Sequence, residues 1–375
     1  MRNSYWLDLC FNMLLEYIPE DFSLAEATGK FRSVIAHIDV IGEYFYAVKT
    51  ELSDDVAKFF SMAGIGHKEI SNYNTALYYY SKAESIRLNN NNEKALALVY
   101  NNIAVVYNIK AEQEKALEYY FKSLDISRKF NEPPMNLVIT YNNITNVYLS
   151  NYSYAEANKW NSKALELVES SSLADNPLCA DVFFTQSTIY YVNEDFSEAL
   201  KLDFKALDLL REHFMEEHTD VGMAYNCIAR EYFSLKEYPV ALDYYLKAYR
   251  IYAKVYGDED SDTAEVCGSI ARTYSMLDDN ADALKWCLKA MQTQEKIFGD
   301  EHPEVMLRHS FITDIYENMG LFNEVIEHLL IIRNFFIKKN HTEPLKDLNG
   351  RIADNYEKLG KLAEAKRFRK IAMEA

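Results

Sequence analysis

The sequence predicts an all-α fold, a right-handed α-α superhelix of about eight stacked helical hairpins with an N-terminal helical cap. Two observations predict it. Glycine and proline number only 11 and 7 among 375 residues, well below their usual combined share of about 12%, which disfavours loop-rich α/β folds, β-sandwiches and disordered chains. In addition, two short patterns return along the chain at a nearly constant interval, which is typical of repeat proteins.

The first pattern is Ile-Ala-x-x-Tyr, seen for example at Ile103-Ala104 with Tyr107. Its small residue stands at positions 64, 104, 145, 187, 229, 271, 313 and 353, so successive copies are 40 to 42 residues apart. Within each copy, apolar and small residues recur at i, i+3, i+4 and i+7. This spacing is that of an amphipathic helix, so each copy predicts the first helix of a hairpin.

The second pattern begins twelve residues after that small residue and reads Ala-Leu-x-aromatic-x-x-Lys-Ala. Ala241-Leu242, Tyr244 and Lys247-Ala248 form one copy. Small residues let two helices approach closely, and the aromatic residues fill the remaining space. A single hairpin cannot bury both of its faces, but stacked hairpins do so repeatedly. The pattern therefore predicts the second helix, and it explains most of the 29 tyrosines as packing residues.

The first 55 residues do not follow this register. Residues 11–18 and 34–41 look helical, and we expect residues 1–55 to form a helical cap or a degenerate repeat, because the end of a repeat stack exposes an apolar face. We assign residues 56–375 to the repeats.

The composition excludes several classes of function. The net charge of −17 disfavours binding to nucleic acid or to an anionic membrane. No apolar run reaches the roughly 20 residues that span a bilayer, and the N-terminus lacks the features of a signal peptide. The cysteines are odd in number and widely spaced (Cys10, Cys179, Cys227, Cys267 and Cys287). We therefore expect neither a disulfide framework nor a zinc site, and we predict a cytoplasmic location.

The sequence contains no recognisable catalytic or cofactor motif. Gly29-Lys30 lacks the rest of a phosphate-binding loop, and Gly64-x-Gly66 lies inside a predicted helix with no strand before it. The histidines form no metal-binding pair; His67 is expected as a packing substitute for tyrosine, and His218 as an exposed linker residue. We therefore predict no enzyme, no metal and no cofactor.

One lysine recurs before the small residue of the second helix. It stands at Lys82, Lys122, Lys163, Lys205, Lys247 and Lys289. The column has two interpretations: a solvated outer face on which the lysine stems cover apolar surface, or a contact for an acidic partner.

The two patterns together resemble the tetratricopeptide repeat. The usual unit of that family is about 34 residues. The longer period here, with Gly-Asp-Glu-His-Pro-Glu-Val at 299–305 between units, is similar to the variety found in kinesin light chains and in many bacterial proteins. The resemblance covers roughly residues 56–375 and implies a superhelix whose first helices line a concave groove.

Polar residues near the Ile-Ala step of the first helices are the candidate binding residues. They are Asn101, Asn102, Asn142, Asn143, Asn146, Asn226, Arg230 and Arg272. Asparagine is a mediocre helix former, yet it can donate to and accept from a peptide backbone. In the longer-repeat proteins that this chain resembles, asparagines at these steps contact an extended peptide. The alternative is that they only hold neighbouring helices together.

The asparagine ladder is interrupted, for instance by Phe184-Thr185 and Gly268-Ser269, which suggests a binding zone in repeats two to five. Arg230 and Arg272 occupy equivalent positions one repeat apart. They could grip a carboxylate or a phosphate bidentately, or pair with neighbouring acids.

The leading functional hypothesis is an interaction scaffold that binds a peptide or protein segment in the groove. The alternative is a ligand-sensing regulatory module, because long arrays of this kind resemble the sensor part of bacterial signalling nucleotidases (STAND proteins) and the peptide-pheromone receptors. A third possibility, a helical-repeat hydrolase, would need convergent acids or a nucleophile in the groove, and none is visible.

Overall fold

The structure, a computed structural model, describes residues 25–48 and 52–374. The chain divides into two compact units, residues 1–213 and residues 214–375, which we call the N-terminal and the C-terminal unit. The described part of the N-terminal unit contains α1 (Ala25–Val48), α2 (Asp54–Glu69), α3 (Tyr73–Asn89), α4 (Glu93–Ile109), α5 (Gln113–Lys129), α6 (Pro134–Ser150), α7 (Tyr154–Ser170), a 3₁₀ turn (Pro177–Cys179), α8 (Ala180–Val192) and α9 (Phe196–His213). The C-terminal unit contains α10 (Thr219–Ser234), α11 (Tyr238–Val255), α12 (Ser261–Met276), α13 (Asn280–Phe298), α14 (Pro303–Met319), α15 (Phe322–Lys338), α16 (Leu345–Lys358) and α17 (Leu362–Glu374).

From α2 onward the helices form hairpins, and each first helix packs most extensively on the second helix that follows it. The hairpins α2–α3, α4–α5, α6–α7 and α8–α9 belong to the N-terminal unit, and α10–α11, α12–α13, α14–α15 and α16–α17 belong to the C-terminal unit. No strand occurs among the described residues. The predicted all-α helical-repeat fold is confirmed.

The recurring small and aromatic residues hold each hairpin together. Ala104 and Ala116, which begin the two patterns in the α4–α5 hairpin, are both fully buried, and this allows the helices to approach closely. Three residues beyond the first small residue, a ring packs on the aromatic position of the second helix. Such ring pairs are His67–Tyr79, Tyr107–Tyr119, Tyr232–Tyr244, Tyr316–His328 and Tyr356–Phe368, with centroids 5.3 to 5.8 Å apart.

The turn inside each hairpin needs one residue in the left-handed backbone region. Gly320 and Gly360 fill this position in the last two hairpins, with φ of 72° and 73°. In the other six the residue is not glycine: Ser71, Ala111, Tyr152, Glu194, Lys236 and Asp278 all have φ between 56° and 65°. A left-handed residue with a side chain costs about 1 kcal/mol, so the packing of the hairpins must offset this cost in most repeats.

Helix α1 lies against the first hairpin. Phe31 and Ile38 are fully buried and pack in one cluster with Phe59 and Phe60 of α2. The predicted helix at 34–41 is part of α1, whereas the one at 11–18 lies outside the described residues. The assignment of residues 1–55 as a cap therefore stays a prediction.

A polar network connects α1 to this hairpin. Asp39 Oδ1 lies 2.9 Å from His67 Nε2, and Tyr79 Oη donates to the same oxygen at 2.6 Å. The imidazole of His67 is buried and stacks on Tyr79. His67 thus occupies the tyrosine position as a packing residue, and in addition it bonds to a carboxylate that the sequence analysis did not assign to it.

Two histidines begin helices. His218 and His302 precede α10 and α14, and each Nδ1 accepts a hydrogen bond from the backbone nitrogen two residues later. His218 stacks on Phe214 with centroids 4.0 Å apart, and its side chain is 12% exposed. The expectation that His218 is an exposed linker residue is wrong, because its ring acts as the N-cap of α10 and packs on an aromatic ring.

Candidate binding surface

One side of each first helix points away from its second helix. At about 100° per residue, positions −6, −2, +1 and +5 relative to the recurring small residue fall on this side. In α4, α6 and α8 they are Leu98, Asn102, Val105, Ile109, Ile139, Asn143, Asn146, Ser150, Asp181, Thr185, Thr188 and Val192. We call these residues the N-terminal first-helix face.

The N-terminal first-helix face combines aliphatic and amide groups. Leu98, Ile109 and Val192 are 60%, 48% and 36% exposed, and what is informative is that they lie on one face, since single exposed aliphatic side chains are ordinary. Among the twelve residues, Asp181 alone carries a charge. Such a surface can cover apolar side chains of a ligand and satisfy backbone amides at the same time.

Three of the predicted asparagines belong to this face. Asn102, Asn143 and Asn146 are half-buried. Asn143 Nδ2 donates to Asn101 Oδ1 at 3.2 Å, which joins α6 to α4. Asn146 has no hydrogen-bond partner among the described residues, so its amide is available to a ligand.

The other three, Asn101, Asn142 and Asn226, stand three residues before the small residue and lie outside the first-helix faces. Asn101 and Asn142 are only 8% and 6% exposed, whereas Asn226 is half-buried. Asn101 and Asn143 hydrogen-bond to each other and so hold neighbouring helices together. For these two residues this is the alternative role considered beside ligand binding. A binding role for the asparagines stays a prediction.

The corresponding face of the C-terminal unit is ionic. It is formed by the same positions of α10, α12, α14 and α16, and its charged members are Arg230, Glu265, Arg272, Asp314, Asp347, Arg351, Asp354 and Lys358. Arg351 Nη2 lies 2.9 Å from Asp314 Oδ1 and 3.3 Å from Glu317 Oε2, which ties α16 to α14. The N-terminal first-helix face, which comprises α4, α6 and α8 only, therefore differs in chemistry from this ionic face; the same positions of α2 carry the exposed charges Lys58 and Glu69.

The two predicted arginines have different surroundings. Arg230 donates from Nε and Nη2 to Glu231 Oε1, at 3.1 and 2.8 Å, and Glu231 is fully buried. Arg230 was predicted either to bind a carboxylate or phosphate of a ligand or to pair with a neighbouring acid. In the structure it pairs with the neighbouring acid Glu231. Arg272 is exposed and makes no ion pair among the described residues.

Arg272 lines a cavity of about 360 Å³ together with Arg308 of α14. Arg308 Nε donates to Gln294 Oε1 at 3.0 Å, and its guanidinium lies over Gly268, where an added Cβ would come within 2.3 Å of Nη1. Sequence reasoning missed Arg308 as the neighbour of Arg272. The only available signal was Gly268, since it leaves room for a side chain from the next hairpin.

The lysine column lies over aromatic rings. The distances from Nζ to the nearest ring centroid are 3.5 Å for Lys82 over Tyr46, 4.5 Å for Lys122 over Tyr119, 3.7 Å for Lys163 over Trp160, 4.2 Å for Lys205 over Phe183, 4.6 Å for Lys247 over Tyr244 and 4.6 Å for Lys289 over Tyr249. All lie within the roughly 6 Å over which a ring attracts a cation. Four of these lysines also pair with carboxylates of the chain itself, which are Glu43, Glu118, Asp243 and Asp258. These contacts account for the recurring lysine without a separate acidic binding partner.

A histidine pair in the C-terminal unit was not foreseen. His309 Nδ1 and His328 Nδ1 are 2.7 Å apart, so one ring donates a hydrogen bond to the other. Burial, with a smaller contribution from the neighbouring imidazole, lowers the pKa of His309 to about 4, and burial lowers the pKa of His328. The signal in the sequence was that His328 stands at the aromatic position of the second pattern.

Two cysteines of the C-terminal unit are expected to react slowly with thiol reagents because they are buried. Burial raises the pKa of both Cys267 and Cys287 to about 12, and both are buried. We expect each to react with iodoacetamide at least about tenfold more slowly in the native protein than in urea, because the thiolate is the reactive form. Peptide-resolved mass spectrometry after timed labelling measures this, and equal rates in the two states would contradict the burial. Cys227, in contrast, is only half-buried.

Two further searches covered the described residues only. None of their helices is both long and apolar enough to cross a membrane. They also hold no group of three or more histidine, cysteine, aspartate or glutamate side chains placed around a common metal position.

Comparison with known proteins agrees with this architecture. The model of the tetratricopeptide repeat family matches residues 220–286, and no curated protein matches the sequence. A Rap protein in complex with Competence and Sporulation Factor is similar over 99% of this chain and 97% of its own, with 14% identity and a TM-score of 0.59. The apo form of RapI is similar over 85% of this chain and 97% of its own, with 15% identity and a TM-score of 0.57.

A third similar structure is a signal transduction ATPase with numerous domains and a tetratricopeptide repeat sensor, from Pyrococcus horikoshii. It covers 90% of this chain, which spans 49% of that protein, with 17% identity and a TM-score of 0.58. At these identities the likeness concerns the fold. The match over residues 220–286, the period of 40 to 42 residues and the eight hairpins of the described residues together show the fold of a tetratricopeptide repeat array.

Proposed function

We propose that the chain is a non-catalytic interaction module that binds an extended peptide or protein segment on the N-terminal first-helix face. The observation that supports this most is the combination on that face of exposed aliphatic side chains, such as Leu98 at 60% and Ile109 at 48%, with half-buried asparagines. Aliphatic groups left in water are a typical feature of binding surfaces when they occur together. The half-buried Asn146 adds an amide without a partner in the fold.

The chemistry of the face favours a segment with apolar side chains. The asparagine amides can donate to and accept from the backbone of an extended segment, while the exposed aliphatic groups would cover its side chains. The ionic face of the C-terminal unit would suit a charged segment better, but its Arg351 is already paired with Asp314 and Glu317. The match is to a repeat family, and no catalytic family is indicated.

Among the structurally similar proteins, one Rap protein was solved in complex with Competence and Sporulation Factor, and the Pyrococcus horikoshii protein uses its repeats as a sensor. Both are consistent with binding by this fold. The regulatory alternative, a ligand-sensing module, would use the same kind of surface and stays a prediction.

The test is a selection of binders from a displayed library of random twelve-residue peptides. Peptides selected on the wild-type protein are then measured by fluorescence polarisation against Asn146→Ala combined with Ile109→Glu. We expect the double variant to bind at least about tenfold more weakly, which corresponds to about 1.4 kcal/mol. The expectation follows because the change removes one amide and places a charge in an apolar contact.

The matched control is Leu88→Glu. Leu88 is 52% exposed and, like Ile109, lies in the last turn of its helix, but it belongs to a second helix. Glutamate is therefore introduced at similar exposure and at the same kind of helix end. The proposal requires this variant to bind like wild type; equal binding by the double variant, or a library without binders, would remove the face from consideration.

A further inference from the structure

The N-terminal unit contains a recess between α4, α5 and α6, near the loops that precede α4 and α6. Its volume is about 460 Å³, within the range of about 300–1,000 Å³ typical of small-molecule sites. Leu98 and Ile139 supply apolar lining, and Asn101 and Thr140 supply polar lining.

Arg87, at the end of α3, also lines this recess. It is 7% exposed, and its Nη1 donates to the carbonyl of Ala95 at 2.9 Å. Among the described residues, its buried Nε has no hydrogen-bond partner, and no carboxylate lies within 4 Å of its guanidinium. A buried arginine without an ion pair is costly, because its charge has lost water and gained no counter-charge.

The acids nearby do not neutralise Arg87. Asp54 attracts it from a distance, but burial is the stronger influence and lowers the pKa of Arg87. The amides of Asn90 and Asn92 donate to the carboxylate of Asp54.

Glu132, which also lines the recess, lies 3.3 Å from Lys94 Nζ and accepts a hydrogen bond from Asn136 Nδ2 at 2.9 Å. Since Lys94 already compensates Glu132, the recess retains one positive charge, that of Arg87, without a partner.

We propose that this recess binds the carboxylate of a small aliphatic ligand, with the guanidinium of Arg87 pairing with the carboxylate and the aliphatic part of the ligand lying on Leu98 and Ile139. A carboxylate would supply the missing counter-charge, and a hydrogen bond between two ionised groups is about twice as strong as a neutral one. The ligand is either the C-terminal carboxylate of a peptide or a free carboxylic acid. The recess shares Leu98 and Ile139 with the N-terminal first-helix face, but a carboxylate site goes beyond the proposed segment binding. Asn146 and Ile109 do not line the recess, so the variants at these two residues test segment binding separately from the carboxylate site.

Isothermal titration calorimetry with paired probes tests the proposal. The probes are N-acetylleucine and N-acetyl-Ala-Ala-Leu, each as the free acid and as the carboxamide. We expect at least one free acid to bind wild type at least about tenfold more tightly than its carboxamide, since a hydrogen bond between two charged groups is stronger than one to a neutral amide. Arg87→Gln should abolish this preference. A tripeptide acid that binds more tightly than N-acetylleucine identifies a peptide C-terminus as the source, whereas equal affinities identify a free acid.

Two further variants keep the test decisive. Arg128→Gln removes an arginine from the last turn of α5, outside the recess, and should retain the preference for the acid. Because Arg87 also holds the carbonyl of Ala95, Ala95→Leu provides a second route: it narrows the recess without changing its charge and should weaken binding of the acid at least about tenfold. The proposal is overturned if no probe binds, if acid and carboxamide bind equally to wild type, or if Arg87→Gln keeps the preference.

Discussion

Lowering the pH from 7 to about 4.5 is expected to destabilise the C-terminal unit by about 2 kcal/mol through the pair His309–His328. The two Nδ1 atoms are 2.7 Å apart, and His309 is only 6% exposed. In the neutral pair one ring donates and the other accepts. A first added proton must enter a buried environment, and a second would place two donors face to face.

The sign follows from proton binding in the two states. Burial lowers the pKa of His309 from 6.5 to about 4 in the folded protein, while the unfolded chain keeps the ordinary value. Between these two pH values the unfolded state binds a proton that the folded state does not. Stability therefore rises with pH in this window. The contribution is complete above the unfolded pKa and is lost as the pH falls toward 4.

Urea unfolding followed by circular dichroism at pH 7.0, 5.5 and 4.5 measures the effect. Other acids also titrate in this window, so the informative quantity is the difference between wild type and His309→Gln, whose amide can still bond to His328. We expect the variant to lose about 2 kcal/mol less than wild type between pH 7.0 and 4.5. The control variant His341→Gln removes an exposed histidine, and it should lose as much unfolding free energy on acidification as wild type does. A His309 resonance that titrates near 6.5 in an NMR experiment would refute the argument.

Much of the fold could be predicted because the recurring residue types make their contacts within a single hairpin. Ala104 and Ala116 must be small so that two helices can meet, and Tyr107 and Tyr119 fill the space beside them. These contacts are close in sequence and return at a fixed interval. The left-handed turn residues could not be foreseen, since Ala111 carries no glycine-like signal and adopts φ of 57° only because the paired helices enforce it.

The candidate site could be predicted only in part, because its details depend on contacts between repeats. The spacing placed Asn143 and Asn146 on the first helices. It could not show that Asn143 bonds to Asn101 across two helices. Arg87 was not noticed either: it lies outside both patterns, and its importance comes from a recess that only forms once three helices are in place.

Replacing Gly66 by alanine is expected to destabilise the N-terminal unit by about 2 kcal/mol. A Cβ at Gly66 would come within 2.2 Å of the ring of Phe31, which is fully buried between α1 and the first hairpin. Because the obstacle is a rigid ring, the change requires Phe31 to move, and overpacking of this kind costs about 1–3 kcal/mol. We expect an overpacking cost near 3 kcal/mol, because the contact is very short. The higher helix propensity of alanine recovers about 1 kcal/mol of this cost.

Gly350→Ala supplies a control of opposite sign. Gly350 also lies inside a helix, α16, but a Cβ there would have no neighbour within 4 Å, so this variant should gain about 0.5–1 kcal/mol from helix propensity. Urea unfolding of both variants, with hydrogen exchange of the α1 amides, separates overpacking from a general effect of alanine. In a Phe31→Leu background the cost of Gly66→Ala should fall, because the smaller side chain can yield. If Gly66→Ala is as stable as wild type, the contact between Phe31 and α2 does not explain why glycine stands at this position.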